Sequence, residues 1–497
     1  MRDIRFRFGF RGPEGAVQLL KTAAVTEELL YDNAFTLWTG LQKVWKQTAF
    51  SPALAKQNGI PPLGMSISLA LQHLVAMIVG CVTPAIIIAN ALGLPQSERV
   101  LIIQVSLVMS AVTTLIELFP IGGKLGSGLP VMFGISFAYL PSMQAIVGGG
   151  GDIATIAGAM IVGGIVAAVV GVFVKKIRRF FPPIITGTVV FTIGLSLYPT
   201  AINYMAGGAG NTYEVVVLRK GLTSALVYGS WQNWAVAAFT LIVVMVMSNK
   251  GKGICKLAAI LLGMIAGYIV AAVFGMVDLS EVRDAAWFSL PKFMHFGIKF
   301  EFSACIALAL LFAINAIQAI GDLTATTVGG LNREPTDQEL QGGIVTYGLT
   351  NVLSAFFGSL PTATYSQNVG IVTTNKVVNR VVFALAGGFL LLAGLIPKFS
   401  AILTTIPQCV LGGATITVFS TIAMTGMKLI ASETISPRNT TIVGLSAALG
   451  VGISQSSSAL SQFPESITII FGKTPVVIAT IMAVLLNLIL PQENKDQ

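Results

Sequence analysis

Two polar residues stand four positions apart in a largely apolar stretch that we predict as one membrane segment, residues 302 to 322. At this spacing Gln318 and Asp322 share one face of a helix. An Asp at the centre of a spanning helix costs about 2.5 to 3.5 kcal/mol, so Asp322 should face a cavity or a polar partner. Because burial favours the neutral acid, Asp322 is a candidate proton carrier beside a hydrogen-bonding amide. Alternatively, Asp322 bonds backbone amides near the end of its segment and never titrates.

A second polar stretch, residues 362 to 370, contains Ser366, Gln367 and Asn368 and interrupts the apolar pattern. Irregular backbone at membrane depth is tolerated only where protein or a cavity satisfies its N–H and C=O groups. The stretch is therefore a candidate binding site, in which amides and hydroxyls would bind the polar groups of a small molecule. The alternative is that its glycines only allow helices to pack closely.

This second stretch has an echo 231 residues earlier. Ser127-Gly128-Leu129-Pro130 precedes Ser136 and Phe137, as Gly358-Ser359-Leu360-Pro361 precedes Gln367 and Asn368. A further echo relates Pro182 and Gly187 to Pro407 and Gly412, each pair five residues apart. These matches indicate an internal repeat. Phe137 could stack on a flat ring, or it could be an ordinary core residue.

Composition places these residues in a polytopic membrane protein. Hydrophobic residues make up 54% of the chain, charged residues 10%, and the mean hydropathy is +0.81. Since a spanning helix needs about 20 apolar residues, we predict fourteen segments. They are 64 to 89, 100 to 119, 128 to 147, 153 to 174, 181 to 200, 231 to 248, 255 to 277, 302 to 322, 341 to 357, 364 to 376, 380 to 397, 407 to 430, 439 to 454 and 473 to 490.

Seven segments per half is an odd number, so the two halves cross the membrane in opposite directions. The predicted fold is an all-α polytopic membrane protein with a 7+7 inverted repeat, the pattern of secondary transporters that bind substrate near the midplane. The short segments 3 and 10 would each be an extended stretch followed by a half-helix. Their helix N-termini would face one cavity and favour electronegative oxygens there.

The net charge of +9 fits membrane topology better than nucleic-acid binding. Most Lys and Arg residues fall on one side if both termini are cytoplasmic, as the positive-inside rule requires of a multi-pass cell-membrane protein. The four cysteines, Cys81, Cys255, Cys305 and Cys409, lack metal-ligand spacing. We expect the protein to bind no metal, no cofactor and no nucleic acid. We also expect that it is not an enzyme, because no catalytic constellation is visible.

Two further titratable residues fall within predicted segments. His73, in segment 1, could titrate or donate a hydrogen bond, although a lone helical histidine more often serves packing and orientation. Glu117 lies near the cytoplasmic end of segment 2, where we expect it to reach solvent.

The run Gln367-Asn368-Val369-Gly370 followed by Thr374-Asn375-Lys376 resembles the signature of the nucleobase-ascorbate transporters, [QEP]-N-x-G-x-x-x-x-T-[RKG]. Gln72-His73, Ser136-Phe137-Ala138 and Gly321-Asp322-Leu323-Thr324-Ala325 also resemble motifs of that family. The resemblance covers all fourteen segments. It implies a core domain of residues 63–180 and 301–400, a gate domain of residues 181–300 and 401–490, an elevator-like alternating-access movement and a homodimer. Residues 1–62 would be a cytoplasmic N-terminal arm and residues 491–497 a cytoplasmic tail.

The same resemblance assigns roles to individual residues. Substrate would be bound by the amides of Gln318 and Gln367, by stacking on Phe137 and by the backbone at Ser366, with Asn368 bracing the site. Ser136 in segment 3 and a segment 1 contact at Gly80 or Cys81 complete the substrate set. Asp322 and His73 would belong to a polar network used in proton-coupled uptake.

Two positions depart from the family pattern. Asn375 stands where the signature has Thr, a mild change between small hydrogen-bonding side chains. Gln318 stands where most nucleobase transporters of the family have Glu, and an amide cannot carry a proton. Coupling through Asp322, coupling to another ion and facilitated passage therefore all remain open.

Substrate choice follows from the amides. Gln367 resembles the purine-type members, and two amides suit an oxidised purine with both N–H donors and C=O acceptors. Urate is anionic near neutral pH, and the absence of a carboxylate at position 318 relieves repulsion. We therefore expect xanthine or urate as substrate, ahead of guanine and uracil. The alternatives are a facilitative or differently coupled nucleobase carrier, a permease for uracil or another base, and an anion transporter of the related architecture.

Overall fold

The structure, a computed structural model, describes residues 52–177, 182–208, 217–218, 222–223, 228–279, 282–283, 285–460, 462–463 and 474–491. Most of the predicted N-terminal arm and of the C-terminal tail lies outside these ranges. Each of the fourteen predicted segments contains a helix, and we number the helices to match. They are α1 Leu63–Ala91, α2 Gln96–Leu118, α3 Leu140–Gly148, α4 Ile153–Val172, α5 Pro183–Met205, α6 Trp231–Lys250, α7 Ala259–Val273, α8 Phe302–Thr326, α9 Asp337–Phe356, α10 Ser366–Asn375, α11 Arg380–Leu395, α12 Gln408–Ala431, α13 Pro437–Gln455 and α14 Pro475–Ile489.

Shorter elements connect these helices. The strands are β1 Phe133–Ile135, β2 Val217–Leu218, β3 Leu222–Thr223 and β4 Thr362–Thr364. Short α-helices cover Val174–Ile177, Ile254–Leu257 and Pro397–Thr404, 3-10 turns cover Pro52–Ala55, Phe137–Tyr139 and Ser457–Leu460, and a π-helical turn covers Thr327–Leu331. Strands β2 and β3 form a small antiparallel pair.

Not every predicted segment is a full-length span. Within the described ranges, seven helices are long and apolar enough to cross a membrane, and Arg380–Leu395 with Pro397–Thr404, bent by 77°, would be an eighth. Helices α3 and α10 have only 9 and 10 residues. They are the half-helices predicted for segments 3 and 10, each preceded by a strand.

The two broken segments meet through their strands. Strand β1 pairs antiparallel with β4, in the register Phe133 to Thr364, Gly134 to Ala363 and Ile135 to Thr362. Phe133 and Thr364 are 231 residues apart, the offset of the sequence echo. The two halves of the chain are therefore joined by a buried strand pair. The pairing satisfies backbone N–H and C=O groups that would otherwise lack partners at membrane depth.

The second echo marks two long helices that pack extensively against each other. Pro182 and Pro407 immediately precede α5 and α12, which pack along each other. A Cβ on Gly187 would lie 2.8 Å from the Ile430 nitrogen, and a Cβ on Gly412 would lie 2.3 Å from the Met205 nitrogen. Each glycine thus allows one helix to approach the far end of the other, and the repeated Pro and Gly are explained by an antiparallel contact between equivalent helices.

Helix contacts fall largely into two groups. Helices α8 and α9 pack on α4, and α11 packs on α1 and α2. In the other group, α12 packs on α5 and α6, α7 packs on α6, and α14 packs on α13 and α5. The half-helices and paired strands lie among the helices of the first group, with α3 also contacting α5 and α14.

Candidate functional site

The candidate site is built around the ends of the two paired strands, where the chain enters the half-helices. Beyond β1, the Ser136 N–H donates to Pro361 O at 3.1 Å, and beyond β4 the Tyr365 N–H donates to Met132 O at 3.0 Å. The Ser136 hydroxyl accepts from the Ala138 N–H at 3.2 Å and so caps the turn that leads into α3. The structure therefore brings the breaks in segments 3 and 10 together through their backbones.

Asp322 ties helix α8 to the break in segment 10. Its carboxylate accepts the Thr364 hydroxyl at 2.5 Å and the Ser366 hydroxyl at 2.9 and 3.0 Å. Its side chain is buried. The partners are hydroxyls on both sides of the junction between β4 and α10, and not the backbone amides of the alternative interpretation. A change in the charge of Asp322 would therefore act directly on this junction.

The side-chain amides of Gln318 and Gln367 are free to bind a ligand. Within the described part of the chain neither makes a side-chain hydrogen bond, and Gln367 is exposed whereas Gln318 is half-buried. Gly321 and Gly370 each follow one of these amides by three residues, and a Cβ added to either glycine would meet nothing within 4 Å. Since residues three apart share a helix face, open space adjoins both amides.

His73 of α1 forms a hydrogen-bonded pair with Asn368 of α10. The Asn368 amide donates to His73 O at 3.0 Å, and its nitrogen lies 3.2 Å from His73 Nδ1. The His73 ring also packs on Phe383, with centroids 4.5 Å apart. Both residues of the pair are buried. His73 thus contacts the half-helix through Asn368, and among the described residues it makes no hydrogen bond to Asp322.

Gly80 and Cys81 of α1 pack against Tyr365 and strand β1. A Cβ on Gly80 would lie 2.8 Å from the Tyr365 hydroxyl oxygen, and a Cβ on Gly134 would lie 2.3 Å from Cys81 Sγ. The Tyr365 hydroxyl in turn donates to Ile135 O at 2.6 Å. The small residues at these positions let α1 approach the paired strands closely.

Phe137 lies where the two groups of helices touch. Its ring meets Phe419 of α12 edge to face, with centroids 5.2 Å apart and an interplanar angle of 80°. Phe137 is buried, and so is Phe419. Sequence patterns did not single out Phe419, because one aromatic residue in an apolar helix carries no spacing signal.

Two residues that hold the paired strands in place were also not predicted from the sequence. Thr114 of α2 binds both backbone groups of Phe133, accepting from the N–H at 3.0 Å and donating to the C=O at 3.2 Å. Asn351 of α9 accepts from the Thr362 N–H at 2.8 Å and donates to Thr362 O at 3.4 Å. Segments 2 and 9 therefore each clamp the strand of the following broken segment.

One expectation was wrong. Glu117, predicted to reach solvent, is completely buried near the end of α2. Its Oε2 accepts from the Ser127 N–H at 2.9 Å, and Gly343 of α9 packs close to the same carboxylate. The turn that leads into segment 3 folds over the helix end and covers the side chain.

Metal ligands do not gather at this site. Across the described ranges, no group of three or more His, Cys, Asp or Glu residues is placed to hold a metal ion.

Paired half-helices within an inverted repeat place the chain in the 7+7 class of polytopic membrane proteins. The fold is similar to that of the transmembrane domain of a cyanobacterium bicarbonate transporter, BicA, with a TM-score of 0.53 at 15% identity, covering 84% of this chain and 97% of that one. It is also similar to the murine anion transporter Slc26a9 in the inward-facing state, with a TM-score of 0.55 at 11% identity, covering 90% of this chain and 70% of that one. The predicted fold class is thereby confirmed.

Sequence similarity narrows the class to one family. Residues 64–458 match the permease family. The chain is 30% identical to the xanthine permease XanP of Escherichia coli over 463 residues, 90% of this chain and 97% of that protein. It is 33% identical to the uric acid permease PucK of Bacillus subtilis over 421 residues, 84% of this chain and 94% of that protein. The chain belongs to the nucleobase-ascorbate transporter family, as its motifs predict.

Proposed function

We propose that the protein is a secondary active transporter that takes up an oxidised purine, xanthine or urate, together with protons. The observation that carries the proposal is the pair of unpartnered amides, Gln318 and Gln367, each beside open space. Amides offer both donors and acceptors, and the N–H and C=O edges of an oxidised purine need both. The names of the relatives, a xanthine permease and a uric acid permease, support this substrate class.

Phe137, Ser136 and Ser366 would complete the substrate contacts. Phe137 offers an aromatic surface to a planar ring, and edge-to-face or offset contacts between rings stabilise by about 0.5 to 1.5 kcal/mol. The residues at the start of α3 and α10 add the positive ends of two short helices, which favour carbonyl oxygens or the charge of urate. Asn368 would hold α10 in place through His73.

Asp322 would carry the coupling proton. As a carboxylate it accepts from Thr364 and Ser366, and protonation would replace one acceptor site by a donor. The hydroxyls would then have to reorient, so that proton binding would alter the junction between β4 and α10 beside Gln367. In this scheme His73 orients Asn368 of α10 and so takes part in the network indirectly, without a hydrogen bond to Asp322.

Alternating access would come from movement of one group of helices past the other. We propose that residues 63–180 and 301–400 form a core domain that carries the substrate, and that residues 181–300 and 401–490 form a gate domain. The packing of helices into two groups supports this division. An elevator-like movement would break and remake the contact between Phe137 and Phe419, which joins the two proposed domains.

The remaining features of the proposal concern the membrane setting. The protein would be a homodimer in the cell membrane. Both termini would lie in the cytoplasm, because the distribution of Lys and Arg favours that orientation. A facilitative or differently coupled carrier is the second candidate function, because Gln318 cannot exchange a proton. A permease for uracil or another base is the third.

Uptake by proteoliposomes tests these candidates. Labelled xanthine and urate are supplied with and without an imposed proton gradient, with uracil as competitor. Accumulation above equilibrium that requires the gradient supports proton coupling. Gradient-independent equilibration favours the facilitative carrier, and strong competition by uracil favours the pyrimidine alternative.

A further inference from the structure

Glu117 is a buried carboxylic acid that the proposed transport mechanism does not use. Its side chain has no exposed surface. One oxygen, Oε2, accepts from the Ser127 N–H at 2.9 Å. The other, Oε1, is buried and has no hydrogen-bond partner within the described part of the chain. The backbone carbonyl of Glu117 accepts from the Gly128 N–H at 2.7 Å, so the residue holds the turn at two points.

The charged groups of the surrounding elements are engaged elsewhere. Arg380 of α11 binds the same turn, but its guanidinium donates to Gly128 O at 2.9 Å and to Asn58 Oδ1 at 3.1 Å. Asp322 of α8 bonds the two hydroxyls of segment 10. Glu339 of α9 pairs with Arg333 at 2.5 Å.

The other charged residues of these elements lie at exposed positions or at the opposite end of α2. Lys124 is exposed in the preceding turn, Asp337 is exposed in the first turn of α9, Glu301 is exposed immediately before α8, and Glu98 and Arg99 lie in the first turn of α2, at its opposite end. No recorded ion pair of the described residues involves Glu117. An isolated buried carboxylate without a cation is strongly disfavoured, and such a group takes up a proton instead.

We propose that Glu117 is a neutral carboxylic acid that positions the entrance to segment 3, and that it is a second protonatable group of the core in addition to Asp322. The turn at Ser127 and Gly128 leads directly into Leu129, Pro130 and strand β1. Gly128 has a φ of +70°, a conformation that suits glycine. Loss of the contact to Ser127 would therefore loosen the segment that carries Ser136 and Phe137.

The corresponding turn of the second repeat contains no acid. At Gly358 and Ser359 the backbone N–H of Ser359 donates to Ser354 O at 3.1 Å, and the Ser359 hydroxyl donates to Leu360 O at 3.2 Å. The two entrances are built alike in sequence but differ in chemistry. Only the entrance to segment 3 would respond to protonation of a side chain.

Infrared spectroscopy of the purified full-length protein tests the protonation state. A protonated carboxylic acid has a carbonyl stretch that a carboxylate and an amide lack. We expect the spectrum of Glu117→Gln to lose one such band relative to wild type at neutral pH, while Glu98→Gln, a change to a partly exposed acid of the same helix, loses none. Identical spectra for wild type and Glu117→Gln would overturn the proposal. This measurement needs no substrate.

Binding of xanthine to the same proteins tests the positioning role, which rests on the proposed function. Glu117→Gln keeps an oxygen that can accept from Ser127, so its Kd should stay within about twofold of wild type near neutral pH and vary less on the alkaline side. Glu117→Ala leaves the Ser127 N–H without its partner and should raise the Kd about tenfold. Equal damage by both substitutions, or equal alkaline sensitivity of Glu117→Gln and wild type, would overturn the positioning role. If wild type binds no purine while the infrared band is lost as expected, only the proposed function fails.

Discussion

Thr364 donates its hydroxyl to Asp322 at 2.5 Å, and this bond joins the last residue of strand β4 to helix α8. Ser366, the first residue of α10, donates to the same carboxylate. Asp322 therefore holds the chain on both sides of Tyr365, which itself bonds strand β1. One acidic side chain therefore connects helix α8, the paired strands β1 and β4, and the half-helix that carries Gln367.

Asp322→Asn should abolish accumulation of xanthine driven by a proton gradient while retaining some binding. The amide is permanently neutral, and it can still accept from Thr364 or Ser366. Uptake by proteoliposomes with and without a gradient checks the first point, and a binding assay without a gradient checks the second. Full pH-dependent accumulation in this variant would refute the proton role.

Gln367→Ala should raise the KM for the purine by about tenfold or abolish uptake, because the variant loses hydrogen bonds to the ring. The matched control is Thr374→Ala in the same half-helix. Thr374 is exposed, and its hydroxyl donates to Gly370 O of its own helix at 2.8 Å. Unchanged uptake by Gln367→Ala, measured at equal protein level in the membrane, would remove the residue from the site.

Gln318→Glu should shift preference away from urate toward neutral purines. The substitution keeps nearly the same shape but introduces a carboxylate, which repels an anionic ligand at short range. Competition of unlabelled urate and hypoxanthine against labelled xanthine measures the shift. An identical competition profile in wild type and variant would place Gln318 outside the substrate shell.

Gly80→Ala should reduce both stability and transport, because the added Cβ would lie 2.8 Å from the Tyr365 hydroxyl oxygen and 2.9 Å from its ring. Either Tyr365 or helix α1 must move, and the bond from Tyr365 to Ile135 would be disturbed. Gly64→Ala is the control in the same helix, since a Cβ there meets nothing within 4 Å. Thermal unfolding of the purified variants should separate the two, and equal melting temperatures would contradict the packing role.

Tyr365→Phe should destabilise the protein by about 1 to 3 kcal/mol, since it leaves the buried Ile135 carbonyl without the hydroxyl that donates to it. The ring remains, so packing against Gly80 is unchanged. Unfolding free energies measured for the variant and wild type in the same detergent would check the value. A loss well below this range would mean that the carbonyl finds another donor.

The sequence predicted the features that repeat or that violate membrane composition. The break around Gln367, its echo and the intramembrane Asp322 all stand out because polar or irregular chain is costly in a bilayer. Ser366 belongs to the predicted site and Thr364 lies two residues before it, but their hydrogen bonds to Asp322 depend on how α8 is placed against β4. Periodicity within one helix does not contain that information.

Single supporting residues could not be predicted in the same way. Thr114, Asn351 and Phe419 are ordinary residues of their helices, and only tertiary packing brings them to the strands or to Phe137. Glu117 was misplaced for a related reason. Nearness to the end of a helix indicated solvent, whereas the following turn and Gly343 cover the side chain.

The pairing of β1 with β4 also constrains the order in which the molecule can be assembled. When the first repeat has been inserted, residues 133 to 135 present strand N–H and C=O groups whose partners are synthesised more than two hundred residues later. In hydrocarbon such groups are costly unless protein or water satisfies them. Thr114 can bind the backbone of Phe133 from within the first half, but the other strand groups find their strand partners only when residues 362 to 364 arrive. The candidate site is consequently completed late, only when both halves of the chain are in the membrane.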